Sequence, residues 1–294
     1  MPAQPPFGRL LTAMVTPFTA DGDLDLDGAA GLAAHLVDEL GHDGLVVSGT
    51  TGESPTTTDE EKAELLGAVV DAVGDRAAVI AGVGTFDTRH TLELAGQAAK
   101  LGAAGLLVVT PYYSKPPQAG LLSHFTAVAD STDVPIMVYD IPHRAGVAIS
   151  TETMIRLAEH PRIVAVKDAK SDLVASARVI AATDLAYYSG EDALTLPLLS
   201  IGAVGVVGTS THFSGLGTKE MIEAFCRGDT ATALRLHQQL LPIFTGIFAT
   251  QGCMLVKAGL ELRGRGVGGL RAPLLPASEA EKQALGRCLA AAGL

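Results

Sequence analysis

The sequence predicts a (β/α)8 barrel carrying a C-terminal helical extension, and three observations lead to it. Short β-branched runs alternate with amphipathic segments eight times between residues 10 and 227, the repeat of a parallel sheet wrapped by helices. Hydrophobic residues make up 48% of the chain and aromatics only 4%, so the core must be built from Ala, Val, Leu and Ile, as in sheets buried on both faces. The first strand runs into Val15-Thr16-Pro17-Phe18, whereas a doubly wound sheet would usually place a glycine-rich turn there.

Taken in order, the runs at 10–16, 44–48, 77–82, 105–110, 134–140, 163–167, 185–189 and 203–208 have the length and β-branched content of buried strands. Helical periodicity covers 27–40, 58–74, 88–102, 118–131, 151–160, 171–182, 192–201 and 216–227. Thr58 before Asp-Glu-Glu, Ser150/Thr151 before Glu152, and Ser171 before Asp172 read as N-terminal caps. Gly74 and Gly102 read as helix stops. After residue 228 the strand signal ends. Segments 229–247, 250–263 and 278–292 are helical by periodicity, with Pro273 and Pro276 in the loop before the last. The expected organisation is a catalytic barrel over 1–228 and a helical domain over 229–294. The Gly264–Gly269 cluster resembles a dinucleotide fingerprint only in composition, because it follows a helix rather than a strand.

Composition removes several functions. A net charge of −11 argues against nucleic-acid binding, which needs a basic face. No run approaches the roughly 20 apolar residues of a membrane span, and no signal peptide is visible at the N-terminus. The three cysteines, Cys226, Cys253 and Cys288, lack metal or redox spacing and read as small buried hydrophobes of a reducing compartment. A cytoplasmic protein is the simplest expectation. The eight histidines are scattered, with no pair spaced for a metal on one helix face. His124, His160 and His237 fall in helical segments and read as surface or interface residues.

Chemistry in such a barrel gathers at the C-terminal ends of the strands. Lys167 ends the sixth. A buried, unpaired ammonium tends to shed its proton, and a neutral lysine is a nucleophile for carbonyl carbon. The alternative is a lysine that snorkels into water. The fifth strand places Met137 and Tyr139 on one face, as the sixth places Ile163, Ala165 and Lys167. Tyr139 and Lys167 could therefore meet in one mouth, the phenol serving as proton carrier or simply as barrel filling. Ser48-Gly49-Thr50-Thr51-Gly52-Glu53-Ser54 is either a carboxylate-binding turn or an ordinary one. Tyr112 and Tyr113, at the fourth strand end, could equally pack at the rim. Arg144 offers a planar fork for a carboxylate, or is a solvated loop charge.

Gly49-Thr50-Thr51-Gly52-Glu53, Thr110-Pro111-Tyr112-Tyr113, Tyr139-x-x-Pro142-x-Arg144-x-Gly146 and Val166-Lys167-Asp168 together resemble the dihydrodipicolinate synthase / N-acetylneuraminate lyase family. The likeness extends from about residue 9 to the C-terminus, with the motifs in order. It implies a class I aldolase-type barrel in which Lys167 forms a Schiff base with pyruvate, and the derived enamine adds to an aldehyde. Thr50 and Thr51 would bind the pyruvate carboxylate, with Gly190 and the backbone at Val207 near the bound substrate. Tyr139, Thr51 and Tyr113 would relay protons, Tyr113 coming from an adjacent subunit of a homotetramer. No metal and no organic cofactor is implied.

Arg144 favours the synthase branch, whose aldehyde is aspartate semialdehyde and whose pathway leads to diaminopimelate and lysine. An aldolase or lyase acting on a sugar acid or other 2-oxo acid is the alternative. A barrel that only binds a 2-oxo acid or a protein partner is a further one. Lys167-Asp168-Ala169-Lys170 and Ser189-Gly190-Glu191-Asp192-Ala193-Leu194 resemble actinobacterial synthases. Asp168, Lys170-Ser171 and Gly208-Thr209-Ser210 depart from the commoner pattern, which bears on the aldehyde rather than on the Schiff base. Where some synthases bind lysine as a feedback inhibitor, this chain has Asp59, Lys62, Phe86, Arg89 and His90. Weak or absent inhibition by L-lysine is therefore expected.

Overall fold

A computed structural model describes residues 5–294. Eight parallel strands close into a barrel in sequence order. They are β1 (Leu10–Ala13), β2 (Gly44–Val47), β3 (Ala78–Gly82), β4 (Gly105–Val109), β5 (Ile136–Asp140), β6 (Ile163–Asp168), β7 (Ala186–Ser189) and β8 (Gly205–Gly208). The first four intervening helices are α1 (Leu26–Ala34), α2 (Asp59–Val73), α3 (Thr88–Lys100) and α4 (Gln118–Asp130). The rest are the short α5 (Pro142–Ala145), then α6 (Thr151–Leu157), α7 (Leu173–Ala182), α8 (Thr195–Ser200) and α9 (Thr211–Cys226). The C-terminal helices are α10 (Thr230–Gly246), α11 (Gly252–Leu262) and α12 (Glu279–Ala291).

Strand alternation sorts the apolar residues into two cores. Leu11, Val46, Ile80, Leu107, Met137 and Ala165 fill the barrel interior, with Phe7 among them. Leu10, Leu45, Val79, Leu106, Val138 and Val166 face the helices. Leu240, Ile243, Val256 and Leu289 of the C-terminal helices belong to that same outer core, which covers the barrel continuously.

The caps explain where several helices begin. Thr58 opens α2 with a reciprocal capping box: its hydroxyl accepts from the Glu61 N–H, and the Glu61 carboxylate accepts from the Thr58 N–H. Ser150 caps α6. Ser171, by contrast, is not a cap. It sits at φ +61°, and Asp172 takes the role by accepting from the Ala175 N–H at 3.0 Å.

Two other expectations shift. Ile163 does not share a face with Lys167. The β5–β6 register slips, so that Ile136 pairs with Ile163 but Met137 pairs with Ala165. The extra residue turns Ile163 into the outer core. Helix α9 starts at Thr211, five residues before the predicted 216. Its first turn is mostly polar yet buried. The Thr211 and Thr12 hydroxyls are bonded at 2.6 Å, and His212 Nε2 accepts from the Val15 N–H at 3.3 Å, so no apolar stripe announces it.

Candidate active site

The strand ends set the geometry. Lys167 pairs in register with Tyr139 of β5 on one side and Tyr188 of β7 on the other, so all three side chains point inward. The Tyr188 hydroxyl reaches away to donate to the Gly8 carbonyl at 2.9 Å, filling the barrel beneath. Tyr139 instead lines the mouth, and Lys167 Nζ lies 4.4 Å from its ring centre.

Burial is what changes the acid–base character of this pair. Burial lowers the Lys167 pKa to about 8, opposed by the Asp192 carboxylate and helped by Arg144. At pH 7 about a tenth of such an amine is neutral, on the order of 300 times the fraction for an ordinary lysine. The Tyr139 phenol is pushed well above its usual value, first by burial, with Arg144 and a hydrogen bond with Thr50 opposing. It therefore keeps its proton at neutral pH and can donate it. Snorkelling is ruled out for Lys167, whose side chain is buried.

Asp192 is itself fixed. Its carboxylate accepts from the Thr209 N–H at 3.2 Å and from Ser210 Oγ at 2.8 Å. At Gly190 there is little room for a side chain beside the lysine stem: a Cβ there would lie 3.1 Å from both Lys167 Cγ and the Asp168 carbonyl oxygen. Val207 pairs with Leu11 and packs inside the barrel. It is not among the residues lining the mouth, where Thr209 is.

The Ser48–Glu53 loop follows β2. Ser48 and Glu53 both adopt positive φ, at +54° and +55°, and the Glu53 N–H donates to the Thr50 carbonyl at 3.2 Å. The loop so held presents Thr50 and Thr51 to the mouth. Glu53 anchors it from behind. Its carboxylate lies 2.8 Å from Lys257 Nζ and accepts from the Arg271 N–H at 3.0 Å, both ion-pair side chains being buried. The Lys257 ammonium and the Arg271 guanidinium both contact Phe18, each 4.3 Å from its ring centre. Gly268 lets the chain press against Phe18, since a Cβ there would lie 1.7 Å from the Phe18 carbonyl oxygen, and the Gly269 carbonyl accepts from Lys257 Nζ. Within the glycine cluster, close packing is thus the use of Gly268.

Arg144 stands on α5, a short helix the sequence reading missed. Its Nη2 donates to Gln251 Oε1 at 2.9 Å, and the same oxygen accepts from the Gly252 N–H at the start of α11. Two cavities meet at the mouth, sharing Thr50, Tyr139, Ile141 and Arg144. One, of about 220 Å³, holds Lys167, Gly190, Glu191 and Gln251. The other, of about 190 Å³, contains Tyr112. Tyr113 lines neither; it is 92% exposed, at φ +69°.

The departures at β6 have structural uses. Asp140 and Asp168 are paired across the strands. Lys170 bridges them, its Nζ 3.3 Å from Asp140 and its backbone N–H donating to Asp168 at 2.9 Å. At the expected lysine-regulation positions, His90 bonds Asp59 at 2.8 Å and Lys62 Nζ lies 3.7 Å from the same carboxylate.

Other expectations needed correction. His124 is buried, its Nδ1 2.9 Å from the Thr88 hydroxyl, and burial lowers its pKa to about 4. His160 lies beyond the end of α6. Among the cysteines only Cys253 is buried; Cys226 is exposed and Cys288 is intermediate. Sequence reasoning also missed Gln251 and Glu191 as parts of the mouth, and Tyr188 as the side chain that fills the barrel beneath it. No local signal marks Gln251, which lies 107 residues from Arg144.

A parallel barrel with a buried lysine of lowered pKa at its mouth defines a class of barrel equipped to attack carbonyl compounds. Residues 6–292 match the dihydrodipicolinate synthetase family. A 4-hydroxy-tetrahydrodipicolinate synthase of Acidothermus cellulolyticus is 68% identical over 288 residues, 98% of this chain and 93% of the relative. 4-Hydroxy-tetrahydrodipicolinate synthase 2 of Streptomyces coelicolor is 60% identical over 291 residues, 99% and 97% of the two chains. The crystal structure of the Cyanidioschyzon merolae enzyme with lysine bound superimposes with a TM-score of 0.97 at 45% identity, covering 99% of this chain and all of that one. The chain belongs to the dihydrodipicolinate synthetase family.

Proposed function

We propose that the protein is a lyase that condenses pyruvate with L-aspartate 4-semialdehyde to give 4-hydroxy-tetrahydrodipicolinate, in the pathway to diaminopimelate and lysine. The observation that carries this is the placement of Lys167, Tyr139 and Arg144 around one cavity, in a chain 55–68% identical to relatives named for that reaction.

The neutral Lys167 amine adds to the keto carbon of pyruvate, and the carbinolamine loses water to leave an iminium. Tyr139, protonated at neutral pH, supplies the proton that the departing hydroxyl needs. Thr50 and Thr51 receive the pyruvate carboxylate. Loss of a methyl proton gives the enamine, whose carbon adds to the aldehyde. The substrate's own amine then attacks the iminium carbon, closing the ring and freeing Lys167. Arg144 takes the aldehyde's carboxylate through its two-pronged guanidinium. Thr51 and Tyr113 complete the proton relay with Tyr139. The exposure of Tyr113 supports its donation to a neighbouring subunit of a homotetramer. Gly190 leaves room beside the Lys167 stem, and the Val207 backbone closes the pyruvate end. No cofactor is needed, and the working compartment is the cytoplasm.

Among the described residues no helix is long and apolar enough to cross a membrane. The experiment that tests the reading is a direct comparison of substrates. Pyruvate with aspartate semialdehyde should turn over efficiently, and N-acetylneuraminate and 2-oxo-3-deoxygluconate should not be cleaved. Preferred cleavage of either sugar acid would move the protein to the lyase branch.

A further inference from the structure

Besides Lys167 itself, the cavity is lined by two opposite charges. Arg144 is one; Glu191 is the only carboxylate among the residues that line it. Both line the cavity that Tyr139 lines, and both act on its phenol, Arg144 lowering its pKa and Glu191 raising it. The Glu191 backbone is held firmly: its carbonyl accepts from Ser189 Oγ at 2.6 Å and from the Leu194 N–H at 3.0 Å. Its side chain is half-buried, and burial with the nearby Asp192 raises its pKa; among the described residues neither a cation nor a hydrogen-bond donor stabilises it. Arg144, in contrast, is already held in place by Gln251. A partly buried carboxylate without a partner calls for a cation from the ligand.

An α-amino aldehyde has the complementary pattern. Aspartate semialdehyde bears a carboxylate and an ammonium on one carbon, two carbons from the aldehyde that meets the enamine on Lys167. With the aldehyde at Tyr139 and Lys167, the amino-acid end extends away from them toward the other residues that line the cavity, Arg144 and Glu191 among them. We propose that Glu191 recognises the ammonium of the incoming aldehyde while Arg144 takes its carboxylate. Together they make the site selective for an α-amino aldehyde over one without the amine. This rests on the reading of aspartate semialdehyde as the second substrate.

The test compares aspartate semialdehyde with succinic semialdehyde, which lacks the amine, for the wild type, Glu191→Gln and Glu191→Asp. Pyruvate is present throughout, and the borohydride-trapped Lys167 adduct serves as a check on folding. Where succinic semialdehyde is not turned over, its inhibition constant against aspartate semialdehyde replaces its kcat/KM. Glu191→Gln should lower kcat/KM for aspartate semialdehyde about 10- to 100-fold, mostly through KM. It should leave the value for succinic semialdehyde within about threefold, collapsing the preference. Glu191→Asp should recover part of it. An equal loss for both aldehydes, or an unchanged preference in Glu191→Gln, overturns the proposal. A wild type that ignores aspartate semialdehyde altogether overturns the functional reading beneath it instead.

Discussion

Lys167 and Tyr139 are partners across one rung of the β5–β6 ladder, and the lysine ammonium lies 4.4 Å from the centre of the tyrosine ring. The rung fixes their separation by backbone hydrogen bonds, so neither side chain must search for the other. Burial then acts on both in opposite chemical senses. It makes the amine easier to deprotonate and the phenol harder, which leaves a nucleophile beside a proton donor at one pH.

The rate of pyruvate adduct formation should follow the neutral fraction of Lys167. It should rise about tenfold per pH unit below 7 and level off above about pH 8. Tyr139 remains protonated over this range, so no falling limb is expected from it below pH 10. Rapid quench with borohydride at each pH, followed by mass spectrometry, reads the rate. A rise that continues undiminished to pH 10 would mean an unperturbed lysine.

Arg144→Ala removes the fork but leaves Lys167 and the Thr50–Thr51 loop in place. The pyruvate adduct should still form, while kcat/KM for aspartate semialdehyde should drop roughly 10- to 100-fold, the worth of a charge-assisted bond. Steady-state kinetics with the aldehyde varied, beside adduct yield, separates the two. Equal losses in both would give Arg144 a different role.

These predictions rest on features of unequal legibility in the sequence. The barrel was readable because eight apolar runs recur at βα spacing, and Lys167 stood out because a charge ends one of them. Ile163 was misplaced because alternation assumes an unbroken register, and the slip between Ile136 and Met137 breaks it. Gln251 could not be found at all. It meets Arg144 only because α11 returns to the barrel mouth, and a contact made by tertiary folding leaves no periodic trace. Polar residues buried by pairing, as at Thr211 and His124, hid for the related reason that pattern reading equates polar with exposed.

The Glu53–Lys257 ion pair joins the Thr50–Thr51 loop to α11 while both charges are buried. Lys257→Met leaves the Glu53 carboxylate without its counter-ion and should destabilise the protein by about 3–5 kcal/mol. The double variant Glu53→Gln/Lys257→Met should regain much of that loss. Denaturant unfolding of the single and double variants checks it; a double variant no more stable than Lys257→Met would show that the charge was not the cause.

Tyr113 is exposed and lines neither cavity at its own chain's mouth. Tyr113→Phe and Lys167→Ala should each be impaired alone. Co-expressed, they should recover up to about a quarter of wild-type activity, because random pairing within a two-fold interface restores one intact site in each mixed pair. Activity no higher than the average of the two parents would place Tyr113 outside a shared site.

One measurement tests most directly whether Lys167 is the nucleophile. Incubation with pyruvate and borohydride, then peptide mass spectrometry, should show a single reduced pyruvate adduct on the peptide carrying Lys167, absent without pyruvate and absent in Lys167→Ala. An unmodified Lys167 peptide, or an adduct on another lysine, would contradict the account.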